Sequence, residues 1–91
     1  MHQVRYFLTL CDELNFTRAA RRCGISQPSL TTAIGALERE LGGALFHREP
    51  SIALTRLARA VRPYLDKIAR NADHAHEVAR TVTPRRRARG K

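Results

Sequence analysis

Phe16–Leu41, FTRAARRCGISQPSLTTAIGALEREL, decides how this chain is read. Two helical patterns flank the short break Cys23-Gly24-Ile25-Ser26. In the first, Ala19, Ala20 and Cys23 form a face of small residues that lets another helix approach closely, while Arg18, Arg21 and Arg22 lie outside it. Thr17 is the expected N-cap, because its hydroxyl can accept from a free amide of the first turn. Gly24 suits the position just past a helix C-terminus, where a left-handed backbone carries no Cβ penalty. Ile25 reads as the apolar anchor of the turn. Ser26 is the next expected N-cap, and Pro28 falls in the first turn, where a missing amide donor does no harm.

The helix that follows runs to about Leu41. Leu30, Ile34, Leu37 and Leu41 fall in a narrow stripe at ~100° per residue. Opposite them lie Pro28, Thr32 and Arg39, flanked by Ser29, Gly35 and Ala36, with Gln27 and Thr31 at the edge. This outer face is small or hydrogen-bonding near its N-terminal end and carries almost no acid before Glu38. It fits a DNA groove, where Gln and Thr read base edges and a helix N-terminus attracts phosphate. The alternative is a helix packed against another protein surface.

Upstream, Val4, Phe7, Leu8, Cys11 and Leu14 recur at the spacing of one helix face, which predicts a first helix ending near Asn15. Phe16 is then a core plug between helices. Downstream, Gly42-Gly43 ends the third helix, and Leu45, Phe46, Ile52 and Leu54 surround Glu49-Pro50-Ser51 as in a short β-hairpin. Such a ribbon is not stable alone and must pack on the helices. From it Arg48 reaches a phosphate or the minor groove. Thr55 is the expected cap of a last helix, in which Leu57, Val61, Tyr64, Ile68, Ala72, Ala75 and Ala79 form a stripe close to a heptad seam, with Leu65 beside it. So small a body leaves that stripe in need of a partner, and a second copy is the simplest one. Pro63 should kink or loosen the helix. Asn71 either sets the register of the seam or faces water.

The charge is +9, with 17 Lys and Arg against 8 Asp and Glu, which points to a polyanionic partner. Five of the bases and no acid lie in residues 81–91, so the rest of the chain carries +4. That end has no periodicity and reads as a basic disordered tail. Its role is either nonspecific phosphate attraction or none. Cys11 and Cys23 read as small buried hydrophobes of a reducing compartment, with a disulfide between them as the alternative. His2, His47, His74 and His76 make no metal-ligand spacing with the cysteines, so no metal and no cofactor are expected. No apolar run approaches the ~18 residues of a membrane span, and no signal peptide is visible. A cytoplasmic, nucleoid-associated protein is expected. No nucleophile–base pair or phosphate loop appears, so no catalytic residue is assigned and an enzyme is not expected.

The chain resembles the N-terminal domain of the LysR-type transcriptional regulators. The resemblance rests on Arg5-Tyr6-Phe7, Phe16-Thr17-Arg18-Ala19-Ala20, Ser26-Gln27-Pro28-Ser29-Leu30, Ala36-Leu37-Glu38, Glu40-Leu41-Gly42, Leu45-Phe46-His47-Arg48 and Leu54-Thr55, in that order over roughly residues 1–80. It implies a mostly α fold, a winged helix-turn-helix of three helices and a short β-hairpin wing, followed by a long linker helix that pairs two subunits antiparallel. The corresponding division is 1–55 for the DNA-binding unit, with the helix-turn-helix at about 16–35, then 56–80 for the dimerising helix and 81–91 for the tail. It also implies that the third helix enters the major groove while the wing touches the neighbouring minor groove. Gln27, Pro28, Ser29, Thr31 and Thr32 match the family's base- and backbone-contacting positions, and Arg18 and Arg48 match positions that meet phosphate. Thr32 stands where the family commonly has arginine, Pro50-Ser51-Ile52 where basic residues are frequent, and Ala58 where glycine is usual. The family's C-terminal effector domain, with its small-molecule pocket, is expected to be absent.

These readings converge on a regulator that binds double-stranded DNA as a homodimer and reads an inverted repeat. Two alternatives stand beside it. One is a partner that forms mixed dimers with full-length relatives through Leu57–Ala79; the other is a nonspecific basic nucleic-acid binder.

Overall fold

The computed structural model describes residues 2–83. Four helices and one hairpin follow in the order α1 (His2–Glu13), α2 (Phe16–Cys23), α3 (Gln27–Leu41), β1 (Phe46–His47), β2 (Ala53–Leu54) and α4 (Arg56–Val82). Helices α1, α2 and α3 pack on one another, and α4 lies against α1. The centre of this packing is Phe7, Leu10, Leu30, Ile34 and Leu45, all fully buried. Burial of each such side chain stabilises the fold by about 1.5–3 kcal/mol. The Phe7 and Phe46 rings sit 5.7 Å apart and tilted, which fastens the first strand of the hairpin to α1.

Two features of the first helix differ from the periodicity. Leu10 is fully buried, whereas Leu8 is half-buried and Leu14 is 38% exposed. The buried arc of α1 is wide because α2, α3 and α4 all contact it. The helix stops at Glu13, and Leu14 takes a left-handed φ of 48° that carries its side chain out of the expected stripe. The cap of α2 is also corrected. Asn15 occupies the cap position and its side-chain oxygen accepts from the Arg18 amide at 2.8 Å, so Thr17 lies inside the helix. Asparagine is at least as good a cap as threonine, and here it stands at the residue where the chain is still extended. Phe16 begins α2 half-buried against the core, as a plug should.

The turn between α2 and α3 is as expected. Gly24 has φ 71°, and its amide and that of Ile25 donate to the last carbonyls of α2, at 3.1 Å to Arg21 and 3.0 Å to Ala20. Ser26 caps α3, accepting from the Ser29 amide at 3.2 Å. Leu30, Ile34 and Leu37 face the core, and Leu41 packs at its edge. After Gly42 the chain turns tightly, and a Cβ on Gly43 would stand 3.0 Å from Leu57 Cδ2, so α4 approaches closely there.

The hairpin is antiparallel, with Phe46 opposite Leu54 and His47 opposite Ala53. Glu38 of α3 holds its start, accepting from the Leu45 amide at 2.8 Å. Thr55 caps α4, and the capped amide belongs to Ala58, which is completely buried. The Cβ at this position is therefore accommodated in the core.

Helix α4 differs most from its sequence reading. It remains one helix across Pro63, and its inner face is Ala58, Leu65 and Ala69, with Leu57 and Val61 packed partly against the core. The seven-residue seam is thus divided. Leu57 and Val61 serve the chain's own body, Ala72 is half-buried, and Tyr64, Ile68, Ala75 and Ala79 are exposed. Two ion pairs tie the helix to α1: Arg5–Asp73 at 2.6 Å and Arg62–Asp12 at 3.3 Å. The basic end, residues 84–91, lies outside the described residues.

Candidate nucleic-acid interface

The exposed surface of α3 begins at its first residue. Gln27, Pro28, Ser29, Thr31 and Thr32 are all exposed; Pro28, Ser29 and Thr32 lie on the side away from Leu30 and Ile34, with Gln27 and Thr31 at its edge. The Ser26 hydroxyl donates to Ser29 Oγ at 2.9 Å while accepting the Ser29 amide, so the cap orders the first-turn side chains as well as the backbone. Gln3 of α1 joins Pro28, Ser29, Thr32, Ala33 and Ala36 in lining a shallow groove beside this face. Its presence follows from the packing of α1 on α3, and nothing in the local sequence signals it. Near the other end, the Arg39 guanidinium lies 3.7 Å from the place a Cβ on Gly35 would take, so the small residue leaves room for the side chain.

Helix α2 connects this face to the wing. Thr17 Oγ1 lies 3.0 Å from Gln27 Oε1, and the Arg48 guanidinium sits 4.9 Å from the centre of the Phe16 ring. Neighbouring residues at the start of α2 therefore hold one side chain of α3 and one of the wing. The Phe16–Arg48 contact is a cation–π arrangement, worth about 0.5–1 kcal/mol at an exposed site. It orients Arg48 without neutralising it.

Arg18 has a different setting. Its Nε donates to Glu13 Oε1 at 3.1 Å, and its Nη2 donates to the Glu13 backbone carbonyl at 3.3 Å. Arg22 donates to the other Glu13 oxygen at 3.0 Å and lies 3.8 Å from Asp12. These bonds, Arg22 first and Arg18 next, hold the Glu13 carboxyl below its usual 4.5. One acid at the end of α1 thus offsets part of the charge of two α2 arginines. Arg21, Arg39 and Arg48, like Arg56, Arg59 and Lys67 of the last helix, make no ion pair among the described residues, so their charge is left open. The role of Glu13 depends on the α1–α2 corner, which spacing alone does not reveal.

Among the described residues no group of three or more His, Cys, Asp or Glu could hold a metal ion. Both cysteines are free thiols, Cys11 buried and Cys23 half-buried. No helix among those residues is long and apolar enough to cross a membrane.

A helix-turn-helix on a three-helix core, with a hairpin beside it, defines a winged helix-turn-helix. The chain belongs to the LysR family: the family model described as "Bacterial regulatory helix-turn-helix protein, lysR family" matches residues 1–59. It is 40% identical over 83 residues to the HTH-type transcriptional regulator BudR of Klebsiella aerogenes, covering 90% of this chain and 58% of BudR. It is 38% identical over 83 residues to the HTH-type transcriptional regulator IlvR of Caulobacter vibrioides, covering 90% of this chain and 28% of IlvR. The chain therefore spans less than two thirds of the length of either regulator. Among solved structures it is similar to the BenM DBD–catB site 1 DNA complex, with a TM-score of 0.82, 29% identity, and coverage of 92% of this chain and 96% of that one.

Proposed function

We propose that this chain is a sequence-specific DNA-binding transcriptional regulator in which the N-terminal part of α3 reads the major groove. The observation that carries this reading is the exposed set Gln27, Pro28, Ser29, Thr31 and Thr32, capped by Ser26 and free of acid. Small and hydrogen-bonding side chains there let the helix approach base edges closely. Its likeness to BenM, whose fold is seen on DNA, supports the same docking. In this proposal Gln27, Thr31 and Thr32 face base edges, while Pro28 and Ser29 lie against the groove wall. Arg48 reaches the backbone or minor groove from the wing. Arg18 contributes to phosphate binding only after it leaves Glu13.

The chain works as a homodimer in this proposal, paired through α4. Tyr64, Ile68, Val78 and Val82 are 66%, 44%, 60% and 74% exposed. At ~100° per residue they share one stripe with Ala75, roughly a third of a turn from the buried face. An apolar stripe this long, exposed among the described residues on a helix that projects from its domain, matches a helix–helix interface. Two-fold pairing places two α3 helices on half-sites of an inverted repeat. Selection of bound sites from random duplexes tests this directly. Enrichment of an inverted repeat is expected, and a pool that stays random after repeated rounds contradicts the reading.

A further inference from the structure

The contact between Thr17 and Gln27 has a defined polarity. An amide oxygen carries no proton, so the Thr17 hydroxyl donates to Gln27 Oε1 across 3.0 Å. Capping does not occupy that hydroxyl, because Asn15 caps α2. Its β-branched carbon is restricted within the helix, so the donor is held in a narrow range of directions. Gln27 is otherwise an exposed, three-torsion side chain at the very start of α3. With Oε1 engaged by α2, the group left to project from the helix is the Nε2 donor.

We propose that Thr17 is a positioning residue that sets the base preference of Gln27. The proposal rests on the DNA-reading function above. A glutamine free to rotate makes a paired contact with adenine, accepting from N6 and donating to N7. Held by Thr17, the same side chain presents a donor, which suits an acceptor on the groove floor: a purine N7, guanine O6 or thymine O4. The hydroxyl at position 17 also lowers the freedom Gln27 must lose on binding. Specificity is thus shared between a residue that faces DNA and one on the preceding helix.

Thr17→Val keeps the shape and removes the donor; Thr17→Ser restores it. In the DNA-free chain, the Gln27 side-chain amide signals should move in Thr17→Val and return toward their original positions in Thr17→Ser. Signals that stay in place in Thr17→Val overturn the contact. On DNA, Thr17→Val should weaken preference roughly two- to tenfold, the scale of one hydrogen bond. The loss should fall at the same base position as that of Gln27→Ala, and the double variant should be no worse than Gln27→Ala alone. Losses that add, or that fall at different positions, overturn the positioning role. A wild-type chain with no sequence preference overturns the regulator reading instead, and the amide signals still decide whether Thr17 holds Gln27.

Discussion

Thr55 Oγ1 lies 2.7 Å from the Ala44 carbonyl oxygen, to which it donates, and the same hydroxyl oxygen accepts the Ala58 amide at 3.1 Å. One buried hydroxyl therefore closes the entrance of the wing and opens α4. Thr55→Val leaves a carbonyl and a helix-terminal amide without this partner, and a buried polar group left unsatisfied costs about 1–3 kcal/mol. Loss of about 2 kcal/mol in urea unfolding is expected, with Thr55→Ser costing less than half as much. An unchanged unfolding midpoint for Thr55→Val would remove the hydroxyl from this role.

Glu13 restrains Arg22 and Arg18, and both hold its carboxyl below the ordinary glutamate value of 4.5. The folded carboxyl binds its proton less readily than the unfolded one, so its contribution is present above pH 4.5 and fades as pH falls through the lower folded value. Carbon-detected titration should show this depression, and Arg22→Ala should relieve more of it than Arg18→Ala. On DNA, Glu13→Gln should raise affinity for all duplexes and steepen the salt dependence, because two arginines become available to phosphate. Arg18→Ala should flatten that dependence by about one unit.

The two thiols should behave differently. Burial pushes the Cys11 thiol up to about 11, with Arg62 opposing and Asp12 adding slightly. A neutral, enclosed thiol reacts slowly, so a disulfide-forming reagent near pH 8 should label Cys23 well before Cys11. The stability linked to Cys11 is complete below its unfolded value of 9.0 and is lost as pH rises toward 11. Cys11→Ala should reduce that alkaline loss. Equal labelling rates in the native state would contradict the burial of Cys11.

The helix-turn-helix was the most legible part of the chain. Ser26, Pro28 and the stripe Leu30–Ile34–Leu37 are local signals, and Gly24 marks a left-handed turn that few other residues take without strain. Thr55 and the hairpin were legible for the same reason. The errors lie where the outcome depends on which elements meet. Leu10 is buried because three helices surround α1. Asn15, and not Thr17, caps α2 because the chain turns two residues earlier than hydroxyl preference suggests. In α4, two similar apolar faces are present, and only the packing shows that Leu65 and Ala69 belong to the body while Tyr64 and Ile68 face outward. Gln3, and the partners of Arg18 and Thr17, are likewise products of packing.

That outward face supplies a prediction of its own. Ile68→Asp or Tyr64→Asp should convert a dimer to a monomer by sedimentation, with helix content retained. Binding to an inverted repeat should weaken more than binding to a single half-site, since the second contact is no longer intramolecular. A chain that stays dimeric with both substitutions would place the interface elsewhere.

The most direct measurement of the central claim compares the wild-type chain and Gln27→Ala on its selected site and on a scrambled duplex at one salt concentration. The expected result is a loss of about 1–3 kcal/mol on the selected site with scrambled DNA bound as before. Equal losses on both duplexes, or no loss on either, would contradict base reading by the start of α3.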